Sequence, residues 1–466
     1  MDSDDICWLS AVELGQAFAA GTLSPVDALE AVYSRLEHYK SALNAFVAVD
    51  GDRARAVARE SATRWRAGKS LGPLDGLPFS VKDTLMIAGY PMRRGSRTTS
   101  DKPVVQSSPC VDRLLEAGAV PIGTTTTPEF GVGPVTISPL TGITFNPWNR
   151  SRGSGGSSGG AAASIAAGIG VIALATDSGG SIRVPAALCG AVGYKATGGC
   201  IPVYPASPAG ALAVPCPIVR HAADLPAVMA AIAKPDPRDA EGFAPANPVY
   251  AHAAAWRPQG KRIALSITLG YATRVDPDIE RAVRAAAATF AALGATVEEA
   301  DPGLSDPIDI FTTMFHSSFA HALRDADAAQ MAQFDPTLRA AIEAGRKLDV
   351  PSVMQANDLR RALAEKLQKF HSQFDLLLTP MVAVPAFLAE LRGPTNFADA
   401  AHMRAWTPFG YPFNLSQQPA ISVPCGLTAE GLPIGLQIVG PRFADADVIG
   451  AAMAYEMARG EFRAPV

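Results

Sequence analysis

The sequence predicts an α/β protein with helices layered around a largely parallel sheet, and three observations point there. Residues 262–300 read as strand, helix, strand: Arg262 to Ser266 is a short extended run, Ile279, Val283, Ala286, Phe290 and Leu293 recur at helical spacing, and Ala295 to Ala300 reads as a second strand. Short apolar segments at 171–176, 374–378 and 420–423 have the length of strands buried on both faces. With 466 residues, 48% hydrophobic and 18% charged, the chain has enough apolar surface to cover such a sheet, which excludes wholesale disorder.

From the N-terminus, Asp2, Asp4 and Asp5 stand where a secretory signal would carry base, and no apolar core follows them. Ser24-Pro25-Val26-Asp27 reads as a helix start, with Ser24 as N-cap, Pro25 at the first helical position and an acid three residues after the cap. Val26, Leu29, Tyr33 and Leu36 then form one helix face. Gly72, Pro73, Gly76 and Pro78 punctuate a loop, after which Phe79-Ser80-Val81-Lys82 alternates like a short strand that puts Lys82 at its end.

Residues 151–160 run Ser-Arg-Gly-Ser-Gly-Gly-Ser-Ser-Gly-Gly, a linker by composition alone. They lead straight into Ala161-Ala162-Ala163-Ser164-Ile165-Ala166-Ala167, a helix of small residues suited to close packing, which argues against a linker. A strand over 171–176, a turn at Asp177-Ser178-Gly179-Gly180-Ser181 and a helix start at Pro185 follow. Residues 234–260 hold five prolines and few apolar repeats, and read as a surface excursion. No internal repeat is present.

Composition narrows the function. Forty Lys and Arg against 44 Asp and Glu leave a net charge of −4, too small and of the wrong sign for a nucleic-acid binder. The small-residue stretch 161–176 is broken by Ser164, Gly168 and Gly170 and is too short to span a membrane. Six scattered cysteines without a Cys-x-x-Cys pair match neither a disulfide scaffold nor a zinc cluster. These features predict a cytoplasmic chain with reduced thiols, no nucleic-acid partner and no membrane partner.

Gly155-Gly156-Ser157-Ser158-Gly159 formally fits the nucleophile elbow, but the turn formers before it leave no strand to present the serine. Gly168-x-Gly170-x-x-Ala173 imitates a dinucleotide fingerprint, yet it precedes a strand instead of following one. The seven histidines, His38, His221, His252, His316, His321, His371 and His402, do not flank a glycine-serine loop, although distance in sequence does not exclude a Ser-His-Asp triad. Another way to activate serine uses a neutral buried lysine as base and a glycine turn for backbone donors. Gly179-Gly180-Ser181 offers the turn and Lys82 the amine, with solvated strand-end lysine and helix N-cap as the competing readings.

These residues carry a resemblance. Lys82-Asp83, the Gly-Gly-Ser157-Ser158-Gly-Gly run and Asp177-Ser178-Gly179-Gly180-Ser181-Ile182-Arg183-Val184-Pro185 together resemble the amidase signature family. The likeness continues through Leu74-Asp75-Gly76-Leu77-Pro78, Asn146-Pro147-Trp148-Asn149, Phe413-Asn414-Leu415, Pro419 to Pro424 and Gly431 to Gln437, nearly the whole chain.

The resemblance implies one α/β/α domain over residues 1–466 around a mixed, largely parallel sheet, with the signature core at 60–230. It implies Ser181 as nucleophile, Ser157 as a bridging serine after a cis Gly156-Ser157 peptide, and Lys82 as general base. Backbone amides of Ser178, Gly179, Gly180 and Ser181 would form the oxyanion hole. No metal and no cofactor are implied. The expected partner is a small-molecule amide, with a homodimer left open, and carbamates and esters share the acyl-transfer geometry.

Three positions depart from the family pattern. Ser178 stands where threonine or isoleucine is common, Cys216 replaces a glycine and reads as packing, and Thr407 replaces a substrate-binding carboxylate of the amidotransferase subunits. The last argues against glutamine as substrate. Phe311 and Phe315, with Phe319 on one helix face, and Trp406 and Phe409 are the expected walls of an aryl or apolar pocket, core packing being the competing reading. A tRNA-dependent amidotransferase component and a non-catalytic binding protein with a decayed site are the alternatives to an amidase.

Overall fold

The caps predicted from sequence start the first long helix, α1 (Pro25–Leu43): the Asp27 amide donates to Ser24 Oγ at 3.2 Å and the Ser24 amide donates to the Asp27 carboxylate at 3.1 Å. This reciprocal pair satisfies two donors that the first helical turn leaves over. The computed structural model describes residues 2–243, 249–395 and 406–465. Within them lies one 11-stranded sheet.

Its strands are β1 (Phe46–Val49), β2 (Pro78–Lys82), β3 (Val120–Thr125), β4 (Ile172–Asp177), β5 (Val192–Lys195), β6 (Val214–Val219), β7 (Arg262–Leu265), β8 (Thr296–Glu299), β9 (Leu376–Pro380), β10 (Ala420–Leu427) and β11 (Pro433–Val439). They lie in the order β1-β3-β2-β4-β6-β5-β10-β11-β9-β7-β8. The sheet is mixed: β2 pairs in parallel with β3 and β4, β7 with β8 and β9, and antiparallel neighbours join these two blocks. Among the described residues no helix is long and apolar enough to cross a membrane.

Three local features differ from the sequence reading or sharpen it. The helix expected at Pro185 begins two residues earlier, as α3 (Arg183–Cys189), so the proline lies within its first turn. The central strand β6 holds Pro215 and Pro217, which argue against an interior strand. Its pairing with β5 stops at Ile218, so the amides those prolines lack fall where β5 offers no partner. Residues 234–260 are not all surface: Tyr250, Ala253 and Trp256 are buried, and Trp256 meets Phe290 edge to face.

The small-residue helix α2 (Gly159–Ala166) is buried along its whole length. A Cβ on Gly160 would stand 2.4 Å from the Ala45 carbonyl oxygen, so only glycine fits there. This close approach is what the supposed linker is for. It drives Ser157 and Ser158, just before α2, into the interior beside the carboxyl ends of β2 and β4, the usual place for a site in such sheets.

Candidate active site

Lys82 ends β2 with a fully buried side chain. Parallel pairing aligns Val81 with Leu174, which brings the amine alongside the end of β4. Lys82 Nζ lies 2.7 Å from Ser157 Oγ, 2.9 Å from Ser158 Oγ and 3.2 Å from Thr176 Oγ1. Burial lowers its pKa from 10.5 to about 7, with the Asp177 charge opposing the shift. An ammonium can donate to all three hydroxyls, whereas a neutral amine has two N–H bonds and one lone pair. In the neutral form one hydroxyl must therefore donate to lysine, and a hydroxyl that donates can pass a proton inward.

The next shell fixes the turn after β4. Asp177 and Arg183 are both fully buried and form a two-pronged pair, with Nε 3.0 Å from Oδ2 and Nη2 3.0 Å from Oδ1. Burial would raise the Asp177 pKa, but Arg183 and the amide of Asn414 overcome it and hold the carboxylate well below its usual range. Arg183 also donates to Gln437 Oε1 at 2.6 Å and to Asn414 Oδ1 at 2.7 Å, while Asn414 Nδ2 donates to the Asp177 carbonyl at 3.0 Å. Sequence reasoning does not single out Asn414, Gln437 or Ser158, although all three stand inside the motifs that carry the resemblance.

This bracket corrects the expected oxyanion hole at one position. The Gly180 amide donates to Asp177 Oδ1 at 2.8 Å, so it holds the loop and is not free for a substrate oxygen. Gly180 has φ 113°, which only glycine adopts readily, and this turns the amide inward. The amides of Ser178, Gly179 and Ser181 have no acceptor among the described residues. Ser181 reaches the lysine cluster through its backbone, where its carbonyl accepts from the Ser158 amide at 3.1 Å. The Gly156–Ser157 peptide is cis.

Two cavities open onto these residues and share Gly131, Ser178 and Phe315. One holds Ser181 and Gly156 with Phe311 and Thr407; the other holds Ser157, Thr176, Thr84 and Arg94 under a loop at 202–209. Phe311 and Phe315 line the cavity. Trp406 and Phe409 do not. Trp406 packs edge to face on Phe387, and Phe409 is buried in the aromatic core, its carbonyl accepting from Gln437 Nε2 at 2.9 Å. Between them, Thr407 lines the cavity.

Cys216 is buried, and its sulfur accepts from the Ala196 amide at 3.1 Å, a packing role. A second buried lysine, Lys195, donates to the Ala196 carbonyl and has its pKa lowered to about 8, by burial first and then by Arg183. None of the six described histidines lines either cavity, and His402 lies outside the described residues.

The Amidase family model matches residues 27–449. The chain is 34% identical to an acylamidase of Rhodococcus erythropolis, over 98% of this chain and 97% of that protein. It is 33% identical to the A-type subunit of a glutamyl-tRNA(Gln) amidotransferase from Synechococcus sp. (strain CC9605), over 96% of each. Among solved structures it resembles a bacterial aryl acylamidase of the amidase signature enzymes, with a TM-score of 0.89 and 30% identity over 97% of this chain and 96% of that one.

Proposed function

The chain belongs to the amidase signature family and is an amidase, a hydrolase of amide C–N bonds; from that premise we propose that Ser181 is its nucleophile, Ser157 the bridging serine and Lys82 the general base. The observation that carries this reading is a fully buried amine 2.7 Å from Ser157 Oγ, with a pKa lowered to about 7. A neutral Lys82 takes the Ser157 proton as Ser157 takes that of Ser181. Ser181 Oγ bonds to the carbonyl carbon, and negative charge develops on the oxygen. The amides of Ser178, Gly179 and Ser181 stabilise that charge, each donor of this kind being worth about 10² to 10³ in rate.

Collapse of the adduct breaks the C–N bond. Lys82 returns the proton through Ser157 to the departing amine, and the acyl group stays on Ser181. Water then attacks the ester, its proton takes the same route to Lys82, and Ser181 leaves reprotonated as the acid departs.

The substrate is a small-molecule amide. The phenyl rings of Phe311 and Phe315 support an aryl or apolar body, and Thr407 supplies no carboxylate to pair with an α-amino group. A second reading, the glutamine-hydrolysing component of a tRNA-dependent amidotransferase, draws on the likeness to the Synechococcus protein. One experiment addresses both. A fluorophosphonate probe should label Ser181 and not Ser181→Ala, and the same preparation before labelling should cleave anilides far faster than it releases ammonia from glutamine. Adduct mapping to Ser157 would overturn the nucleophile, and glutamine turnover within about tenfold of an anilide would favour the amidotransferase.

A further inference from the structure

The loop after β2 carries two consecutive arginines with opposite fates. Arg93 is tied back to its own loop, with Nε 3.4 Å from Thr99 Oγ1 and Nη2 3.5 Å from the Ser96 carbonyl. Arg94 lines the cavity that holds Ser157, Thr176 and Ser178. Its backbone is in the left-handed region at φ 52°, which a long side chain seldom adopts. Three contacts hold it there. The carboxylate of Asp83, the residue after Lys82, accepts from the amides of Arg93 at 2.7 Å and Gly95 at 2.9 Å. The Phe130 amide donates to the Arg94 carbonyl at 2.7 Å.

So held, the guanidinium lies 5.8 Å from the centre of the Phe130 ring and forms no hydrogen bond or ion pair among the described residues. Asp83, the nearest countercharge, is occupied by backbone amides. Arg94 carries the only charge among the described residues lining either cavity. A lone, partly buried cation with five donors and no acceptor, on the rim of a reacting site, fits an anionic group carried in by a ligand. Burial disfavours its charge, and a bound anion would restore the balance.

We propose that Arg94 determines specificity by receiving a carboxylate of the substrate, so that the enzyme takes amides with an apolar or aryl body and a carboxylate at one end. This rests on the amidase reading and narrows its substrate class. It also separates the pocket from one built for an ammonium group, because neither cavity presents an acid among its described residues.

Two matched pairs of compounds test it. Glutaric acid mono-4-nitroanilide against butyryl-4-nitroanilide places the carboxylate on the acyl half, and N-butyryl-4-aminobenzoate against N-butyrylaniline places it on the leaving half. In one pair the charged member should have the lower KM by about tenfold to a hundredfold, the scale of a charge-assisted pair of hydrogen bonds. Arg94→Met should collapse that ratio towards one, Arg94→Lys should keep part of it, and salt should narrow it in the native enzyme. Fluorophosphonate labelling of Ser181 reports that each variant is folded. Should Arg94→Met lose the label, the native ratios, their salt dependence and Arg94→Lys decide. Ratios near one in both pairs, or a ratio that survives in labelled Arg94→Met, would overturn the role of Arg94. An enzyme that cleaves no anilide and takes no label would instead overturn the serine mechanism beneath it.

Discussion

The lysine floor of the cleft and its aromatic wall bury side chains to similar depth but hold them by different forces. On the floor, Lys82, Asp177 and Arg183 are fully buried, and each is saturated with directed contacts. On the wall, Phe311 stacks on Phe315 at a centroid distance of 5.3 Å, and Phe319 packs tilted against Phe315 at 4.6 Å. A buried charge tolerates few neighbours, because each missing hydrogen bond leaves a desolvation penalty behind. A buried ring accepts any apolar neighbour that fills space. The floor is therefore specified atom by atom, whereas the wall is specified by volume.

Lys82 is where this contrast breaks hardest. Lys82→Ala and Lys82→Arg should each lower kcat by about 10² to 10⁴, since neither can accept the proton at working pH. Native kcat/KM should rise with pH through about 7, as the buried ammonium loses its proton, and then level off. Substrate Kd, measured on Ser181→Ala backgrounds, should change little. An active Lys82→Arg enzyme with the native profile would put the base elsewhere.

One layer out, Asp177→Asn removes the countercharge of a fully buried arginine. Urea denaturation should register a loss of about 3 to 5 kcal/mol. Turnover should fall as well, because Gly180 is held by the same carboxylate. A loss below about 0.5 kcal/mol, the level of an ordinary surface change, would mean that the bracket does not hold the loop.

The smallest effect on turnover belongs to the wall and sharpens the comparison. Phe315→Ala should alter the ratio of kcat/KM between aryl and alkyl amides. Phe409→Ala should lower stability by about 3 to 5 kcal/mol and leave that ratio alone. Equal shifts of preference in both variants would erase the distinction between cavity ring and core ring.

The same difference governs what the sequence reveals. Lys82, Ser157 and Ser181 belong to motifs whose glycine-serine runs have no purpose as linkers, and the close approach at Gly160 explains that pattern physically. Their bracket is spelled in fragments at 177, 183, 414 and 437, which only the folded sheet brings together. The φ of Gly180 favours glycine, so the residue type permits the turn, but it does not say that the amide meets Asp177 instead of a substrate oxygen. Trp406 and Phe409 read like Phe311 and Phe315 because aromatic identity does not say which side of a wall a ring faces. The prolines of β6 hide it as a strand, and they fit because its pairing with β5 stops at Ile218, before it reaches them.

A lysine held near a pKa of 7 also makes the fold's stability depend on pH. The unfolded chain keeps that proton up to about 10.5, the folded chain only to about 7, so unfolding takes up a proton in between and stability rises with pH across that window. Below about 7 the full penalty of the buried ammonium applies, about 5 kcal/mol for the whole interval. Lys82→Met should accordingly be more resistant to urea than the native chain at pH 6, with the gap closing towards pH 10. A gap of the same size at both pH values would assign it to packing instead of charge. The residue that activates the serine is, by this reasoning, among those that most oppose folding near neutral pH, and the buried helices and sheet around it supply the excess stability that keeps it in place.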